Sequence, residues 1–244
     1  MAPENTLAAF ARAFRDGADG IELDVRLSRD SVPVVIHDAS VSHAKFRKRR
    51  VARSSLAKLK QIDVGSWFNS RHREFARLEY TRQNIPTLDE VFFLLRNQTD
   101  GNSTIFVELK CSRKKSRNDA LARATLESID RHLVKQQCVV ISFNLRTVRR
   151  IKQLDGSIRT GALFGPRQRA SKSERQIIAA AKACGADDIL LHHRIATARI
   201  VAAAHENELR PSVWTVVAPA WLARAGNLNL HALITNCPAN FRTF

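Results

Sequence analysis

Charged side chains occupy alternate positions in two apolar segments of this sequence. Glu22 and Asp24 lie two residues apart in the first segment, and Glu108 and Lys110 lie two apart in the second. Side chains two apart in a strand share a face, so each segment is predicted to be a strand with its charges on one side. Neighbouring carboxylates repel each other, and a hard divalent cation is the usual means of holding them together. The pattern indicates a metal site.

A histidine, His37, closes a third apolar run at residues 32–38. Any one of these residues has an ordinary alternative, because an acid at a strand end is often solvated or caps the next helix. The charges on separate strands are harder to explain together, since buried charges destabilise a fold unless they are paired or bound to metal. Their joint occurrence favours a functional site.

These residue types point to chemistry on a phosphate group. Three carboxylates, from Glu22, Asp24 and Glu108, suit Mg²⁺ or Ca²⁺. Lys110 would bind a phosphate oxygen as a point charge beside the ion. A metal there would polarise the phosphoryl group, and His37 would shuttle a proton.

Alternating strands and helices are expected to position these groups. Predicted strands lie at 21–27, 104–110, 138–143, 158–164, 188–192, 212–217 and 232–235. This alternation predicts a parallel sheet with helical crossovers, and a chain of this length fits an α/β barrel. A closed barrel needs eight strands, so the first strand is expected to be missing from this chain. In such barrels the working groups lie at the carboxyl ends of strands, which is where the candidate residues fall.

The remaining segments fit a single domain over residues 1–244. A helix is predicted at 4–16, and another opens at Thr87, whose capping box is completed by Glu90. Residues 39–85 are irregular and basic, with few apolar residues to form a core, and are expected to be an elaborated connection.

Composition narrows the setting in which the protein works. The chain has 244 residues, of which 44% are hydrophobic, and lacks any apolar run of the roughly 20 residues that a membrane span needs. Its four cysteines are irregularly spaced, which predicts reduced thiols rather than a disulfide framework. No signal peptide is visible, so a cytoplasmic location is expected unless a signal peptide was lost with the missing N-terminus. The oligomeric state is left open.

The formal net charge of +17 allows an anionic partner such as nucleic acid, a membrane surface or a phosphorylated substrate. Basic residues cluster at 45–53, 113–117 and 167–175. No aromatic residues interleave these runs, and no nucleic-acid motif accompanies them. We therefore expect a solvated basic surface and no specific nucleic-acid site.

Seven segments together resemble the glycerophosphodiester phosphodiesterase family. They lie in order at residues 2–7, 21–25, 33–38, 85–88, 107–110, 214–216 and 234–236. The resemblance implies a TIM barrel of the phospholipase-C-like phosphodiesterase type that hydrolyses glycerophosphodiesters to an alcohol and glycerol 3-phosphate.

The same resemblance assigns roles to the candidate residues. It implies that Glu22, Asp24 and Glu108 hold the divalent metal and that Lys110 contacts the phosphate. His37 would be one of two catalytic histidines. Trp214 would line the glycerol side of the pocket, although a buried core tryptophan is an equally good interpretation of that residue.

Two departures from the family pattern bear on activity. The family's His-Arg-Gly motif would precede Pro3, where this chain has none, and Asn236 stands where an aspartate is usual. A late assigned start is expected, with the motif encoded upstream and the 244-residue form poorly soluble and nearly inactive. A protein that keeps the metal and phosphate site but turns over poorly remains an alternative, as does a basic-surface binder.

Overall fold

The computed structural model describes residues 1–41, 49–98 and 101–241. The chain divides into two compact units, residues 1–138 and 139–244. The predicted single domain is not tested by this division and stays a prediction.

The first unit holds strands and helices in mixed order. Its strands are β1 Gly20–Leu27, β2 Pro33–Val35, β3 Ser40–Val41, β4 Arg49–Arg50 and β5 Thr104–Leu109. Its helices are α1 Leu7–Arg15, α2 Leu56–Lys60, α3 Val64–Arg71, α4 Leu88–Gln98 and α5 Lys115–His132. Single 3-10 turns occupy Val51–Arg53, Arg73–Phe75 and Leu78–Tyr80.

Strand β1 is the centre of the first unit's sheet. It pairs in parallel with β5 on one side, with Gly20 opposite Thr104 and Asp24 opposite Glu108. On its other side it pairs with β2, and this pairing is antiparallel. From the sequence, the His37 run would be counted as an extension of β1, but a turn at residues 28–32 reverses the chain and the run lies alongside β1.

The two faces of β1 differ in the way that its alternating sequence predicts. Leu23 and Val25 are completely buried, as expected for the apolar face of a strand covered by other elements. The opposite face carries Glu22, Asp24 and Arg26 in succession. The acidic side chains thus share one face of the strand, as the alternation of the sequence predicts.

Helix α1 leads directly into β1 and has well-formed ends. The buried Thr6 hydroxyl accepts a hydrogen bond from the Ala9 N–H, which caps the helix N-terminus. Gly17 has a φ of 87° just beyond the C-terminus, the left-handed conformation with which glycine commonly ends a helix. The helix begins three residues later than the predicted residue 4, since Thr6 takes the cap position.

The segment predicted to be an elaborated connection packs onto the first unit. Its apolar side chains at 41, 51, 59, 62 and 85 are buried in one cluster with Val34 of β2. Residues 42–48, which include part of the first basic run, lie outside the described residues. At the end of the segment the predicted capping box is confirmed, because Thr87 and Glu90 exchange hydrogen bonds between side chain and main chain.

The second unit alternates strands and helices as predicted. Its strands are β6 Cys138–Ser142, β7 Arg159–Phe164, β8 Asp188–His192, β9 Arg210–Val216 and β10 Ala232–Thr235. Its helices are α6 Leu145–Leu154, α7 Pro166–Ala170, α8 Glu174–Ala183, α9 Ala198–Glu206 and α10 Trp221–Asn227, followed by a 3-10 turn at Pro238–Phe241. The strands pair in parallel in sequence order.

One buried acid forms ion pairs that link the first residues of three of these strands. Asp188 is fully buried at the start of β8, and its carboxylate accepts from Arg159 of β7 at 3.0 Å and from Arg210 of β9 at 3.3 Å. Burial raises the pKa of Asp188, and the two guanidinium groups oppose that rise. This ion cluster lies at the amino ends of the strands, the end that in such folds serves stability.

Within the described parts of the chain, helices of membrane-spanning length and hydropathy do not occur.

The close approach of β1 to β5 leads to a prediction about Gly20. A Cβ atom on Gly20 would lie 2.1 Å from the carbonyl oxygen of Thr104, which belongs to the β5 backbone and cannot rotate away. We expect Gly20→Ala to lower the free energy of unfolding by about 1–3 kcal/mol, as overpacking does elsewhere. The measurement is the midpoint of thermal denaturation.

Gly226 in α10 provides the matched control, because a Cβ atom there meets nothing within 4 Å. Gly226→Ala is expected to be neutral or to stabilise by up to about 1 kcal/mol, since alanine favours helix. Equal midpoints for the two variants would contradict the assigned closeness of β1 and β5.

Candidate active site

Three carboxylates meet at the β1–β5 pair of the first unit. Asp24 lies directly opposite Glu108 in the parallel register. Glu22 lies two residues before Asp24, on the same face of β1. One oxygen from each of the three side chains lies within 4.8 Å of the others. Asp24 and Glu108 are only 6% and 7% exposed, so water compensates little for the repulsion between them. The structure thus brings the three predicted metal ligands together, while their role as ligands stays a prediction.

Lys110 reaches the same cluster from the end of β5. Its ammonium group lies 2.9 Å from Asp24 Oδ1 and 2.8 Å from Glu108 Oε1. Its backbone N–H donates to the Val25 carbonyl at 3.0 Å, which continues the β1–β5 ladder and fixes the root of the side chain. The lysine predicted to meet a phosphate is therefore paired with two of the carboxylates in this state.

The electrostatics of the cluster show an excess of negative charge. Burial raises the pKa of Glu22 well above its usual range, and the charges of Asp24 and Glu108 raise it further. Burial also raises the pKa of Glu108, although Lys110 opposes the rise. Burial lowers the pKa of Lys110, but Glu108 and Asp24 outweigh that effect and the net shift is upward. One ammonium group thus faces three carboxyl groups, and a further cation would be attracted to them.

Asn5 holds Asp24 from the opposite side. Its side-chain amide donates to Asp24 Oδ2 at 2.8 Å, and its side-chain oxygen accepts from the Asp24 backbone N–H at 3.1 Å. The Asn5 backbone has a φ of 56°, a left-handed conformation that asparagine tolerates better than most residues. Thr6 then caps α1, so the start of the helix and the orientation of the acid are set by two adjacent residues.

His37 is tied to the same strand by main-chain contacts. The N–H of Ile36 donates to the Asp24 carbonyl at 2.8 Å. The Arg26 guanidinium donates twice to the His37 carbonyl, from Nε at 2.9 Å and from Nη2 at 2.6 Å. The His37 side chain is half exposed, and a positive charge on its ring would lower the pKa of Glu108. The imidazole therefore lies within electrostatic range of the carboxylates.

Asp38 orients the His37 ring. Its Oδ1 lies 3.0 Å from His37 Nδ1, and a carboxylate can only accept a hydrogen bond. The Nδ1 atom is thus assigned the proton in this contact. In the neutral ring that assignment leaves a lone pair on Nε2, which is the atom free to exchange a proton with a substrate.

Two residues that hold the site in place, Asn5 and Arg26, were not identified from the sequence. Arg26 follows Glu22 and Asp24 on the same face of β1, so the alternation that identified the acids would have found it one step further along. Asn5 lies just before the helix cap at Thr6, a position typical of turns, and its long-range bond to Asp24 has no local sequence pattern.

Trp214, predicted to line the glycerol side of a pocket, belongs to the second unit. Its indole N–H donates to the Leu190 carbonyl at 3.2 Å, so only its ring surface is left for a ligand. The ring contacts Phe143 and His192 edge-to-face, with centroid distances of 5.5 and 4.9 Å. Trp214 is half-buried rather than fully buried, and its substrate-binding role stays a prediction.

The second basic run is partly structural. Arg117 donates to the carbonyls of Leu27 and Ser28, which anchors the start of α5 to the end of β1. The side chains at 113–115 are exposed. The expected lack of a specific nucleic-acid site stays a prediction.

Comparisons with known proteins agree on one class, a phosphodiesterase barrel. The family described as the glycerophosphoryl diester phosphodiesterase family matches residues 1–240. A phosphodiesterase from Oleispira antarctica, solved with its product sn-glycerol 3-phosphate, is 25% identical with a TM-score of 0.82, over 98% of this chain and 89% of that one. A glycerophosphodiester phosphodiesterase from Thermotoga maritima shares the fold, with 22% identity and a TM-score of 0.72 over 98% of this chain and 90% of that one.

Two curated relatives are named glycerophosphodiester phosphodiesterase. The protein from Caldanaerobacter subterraneus is 31% identical over 162 residues, which are 66% of this chain and 61% of that protein. The protein from Bacillus subtilis is 27% identical over 175 residues, 70% of this chain and 58% of that protein. The matches thus span about three fifths of the relatives' length. The chain belongs to the glycerophosphoryl diester phosphodiesterase family, and the predicted α/β fold class of TIM-barrel type is confirmed.

The two hydrogen bonds of Asn5 lead to a prediction about Asn5→Ala. The substitution leaves Asp24 Oδ2 and the Asp24 N–H without partners in a buried setting and adds backbone strain at positive φ. Asn229, with a φ of 49°, provides a control for the strain alone, since no side-chain bond of Asn229 is found among the described residues.

We expect Asn5→Ala to destabilise the protein by about 1–3 kcal/mol more than Asn229→Ala, because a buried polar group without a partner carries that penalty. Melting temperatures of the two variants in the presence of a chelator give the comparison. Equal losses would mean that the Asn5 side chain contributes nothing beyond its backbone conformation.

Proposed function

We propose that this protein hydrolyses glycerophosphodiesters to an alcohol and glycerol 3-phosphate with the help of a divalent metal ion. The observation that carries the proposal is the cluster of Glu22, Asp24 and Glu108, with Lys110 in contact and His37 within electrostatic range. Membership of the phosphodiesterase family supports the reaction type. The product bound to the Oleispira antarctica phosphodiesterase supports glycerol 3-phosphate as the product here.

The residues of the cluster fit a hard divalent cation. All three donors are carboxylate oxygens, which Mg²⁺ and Ca²⁺ prefer, and their spacing allows one ion to contact all three. Burial and mutual repulsion raise the pKa of Glu22, so a cation would relieve an unfavourable charge arrangement. When bound, such an ion supplies Lewis-acid polarisation of a phosphoryl oxygen.

The protein's own side chains would bind and protonate the substrate. The Lys110 ammonium group offers three N–H donors to a non-bridging phosphate oxygen. His37, with Nδ1 held by Asp38, exchanges a proton at Nε2 with the alcohol oxygen or the attacking water. Arg26 keeps the His37 main chain in place through its two bonds to the carbonyl. The family resemblance also predicts a substrate-binding role for Trp214.

The biological setting that we propose is lipid and glycerol metabolism in the cytoplasm. Within the described residues, the cysteines at positions 111, 138, 184 and 237 lie outside any disulfide, which accords with a reducing compartment. A small-molecule glycerophosphodiester is the proposed substrate.

The experiment is the release of glycerol 3-phosphate from glycerophosphocholine by the full-length natural protein, with Mg²⁺ or Ca²⁺ and with a chelator. We expect release with the metal and none with the chelator. Metal binding without turnover would contradict the enzyme assignment and favour the alternative of a metal- and phosphate-binding protein.

Glu22→Gln provides a sharper version of this test. No hydrogen bond to the Glu22 side chain is found in the described part of the chain, so the substitution removes charge without breaking a contact. Metal affinity measured by calorimetry is expected to fall by at least about tenfold, given the strength of charge interactions at this range. The melting temperature with chelator should stay equal or rise, because repulsion with Asp24 and Glu108 is relieved.

Glu127→Gln, an exposed acid in α5, is the matched control and should change neither quantity. Unchanged metal affinity in Glu22→Gln would remove Glu22 from the ligand set.

Variants of His37 and Arg26 separate proton transfer from its positioning. His37→Gln should lower kcat by about 10²- to 10⁴-fold, the usual contribution of a general acid–base group, with metal affinity unchanged. Arg26→Gln should lower kcat with little change in KM, because the imidazole loses its main-chain anchor, and Arg26→Lys should recover part of the loss. An unchanged kcat in His37→Gln would exclude it from proton transfer.

A further inference from the structure

Lys110 is paired with two of the three carboxylates that a metal ion would also bind. Its Nζ atom lies 2.8 Å from Glu108 Oε1 and 2.9 Å from Asp24 Oδ1, so it sits between the two acids. The ammonium-bearing side chain is only 14% exposed. A surface lysine that merely waits for a ligand would be expected to point into water.

The remaining oxygen of Asp24 is also engaged, because Oδ2 accepts from the Asn5 amide at 2.8 Å. A divalent cation requires oxygen atoms at about 2.0–2.6 Å, closer than the ammonium group stands from them. An ion bonded to Asp24 Oδ1 and Glu108 Oε1 would compete with the Lys110 ammonium group for these two oxygens and repel its charge. Glu22, in contrast, has no ion pair within the described residues and is open to a cation.

We propose that Lys110 is an internal counter-ion of the metal site, which holds Asp24 and Glu108 together before metal binds and gives up both ion pairs when the site takes a divalent cation. The inference rests on the proposed metal dependence and adds an exchange of cations to it. Two like charges opposite each other on neighbouring strands are destabilising. Lys110 offsets that repulsion in the metal-free protein, and the divalent ion does so afterwards.

The exchange needs only side-chain motion. The Lys110 backbone is fixed by its bond to the Val25 carbonyl, while its four-carbon stem has several rotatable bonds. Once released, the ammonium group has three donors available for a phosphate oxygen. The two roles of Lys110 are therefore sequential, so glycerol 3-phosphate should bind weakly without metal and more tightly with it. By linkage, glycerol 3-phosphate must strengthen metal binding by the same factor.

The first test uses the parent protein and an amine-reactive reagent, with labelling of each lysine read by mass spectrometry. Lys110 should be labelled slowly with chelator and several-fold faster with saturating Mg²⁺ or Ca²⁺. Lys115, five residues further along and exposed, is the internal control and should be labelled equally in both conditions. If calorimetry shows bound metal while labelling of Lys110 stays as slow as before, the exchange does not occur and the inference is wrong.

The second test compares Lys110→Met with Lys115→Met, since both remove one positive charge and keep a long side chain. We expect Lys110→Met to bind metal about tenfold more tightly, because a competing charge at contact distance is gone. With chelator its melting temperature should fall by about 2–4 °C, the shift that 1 kcal/mol produces in a chain of this size. Lys115→Met should match the parent in both measurements.

The outcomes separate this inference from the proposed function. Equal metal affinity and equal melting temperature in Lys110→Met and the parent would overturn the counter-ion role and leave metal dependence intact. A parent protein that binds neither Mg²⁺ nor Ca²⁺ would overturn metal dependence and the inference together. If Lys110→Met fails to fold, the labelling experiment on the parent still decides the question.

Discussion

The parallel pairing of β1 with β5 sets two acids opposite each other, and the candidate site depends on this constraint. The register that sets Gly20 against Thr104 also sets Asp24 against Glu108, and both acids are almost fully buried. Such an arrangement is unfavourable by itself, since like charges opposite each other in a sheet repel. The surrounding residues are best understood as compensation for that repulsion.

Three side chains from different parts of the sequence offset this repulsion. Lys110 comes from the end of β5 and Asn5 from the residue before the cap of α1. Arg26 comes from the next same-face position of β1, where its charge interacts with those of Asp24 and Glu108. Arg26 and the Asp24 carbonyl also hold the main chain of residues 36 and 37. The proton-transfer candidate His37 is thereby linked to the same strand as the metal candidates, so one strand positions both kinds of group.

The hydrophobic periodicity of the sequence predicted most of the strands and helices and the faces on which their side chains lie. The strands at 188–192 and 232–235 match the predicted bounds, and the predicted strand at 138–143 ends one residue early. Alternation was sufficient to place Glu22, Asp24, Glu108 and Lys110 on meeting faces, because a strand has only two faces to choose between.

Features set by long-range geometry could not be predicted in this way. Periodicity gives the face of Lys110 but not the rotamer that carries its ammonium group onto Asp24 and Glu108. The antiparallel return of β2 depends on a turn at 28–32 whose residues allow other paths. The bond from Asn5 to Asp24 joins residues 19 apart, and only the folded chain brings them together.

The most direct test of the account is a crystal structure of the protein grown with Mn²⁺, which can replace Mg²⁺ and has a measurable anomalous signal. The account predicts one anomalous peak within bonding distance of oxygens from Glu22, Asp24 and Glu108, with the Lys110 ammonium group moved away from Asp24 and Glu108. An ordered Lys110 still bridging these two acids, with no peak between them at millimolar Mn²⁺, would contradict it.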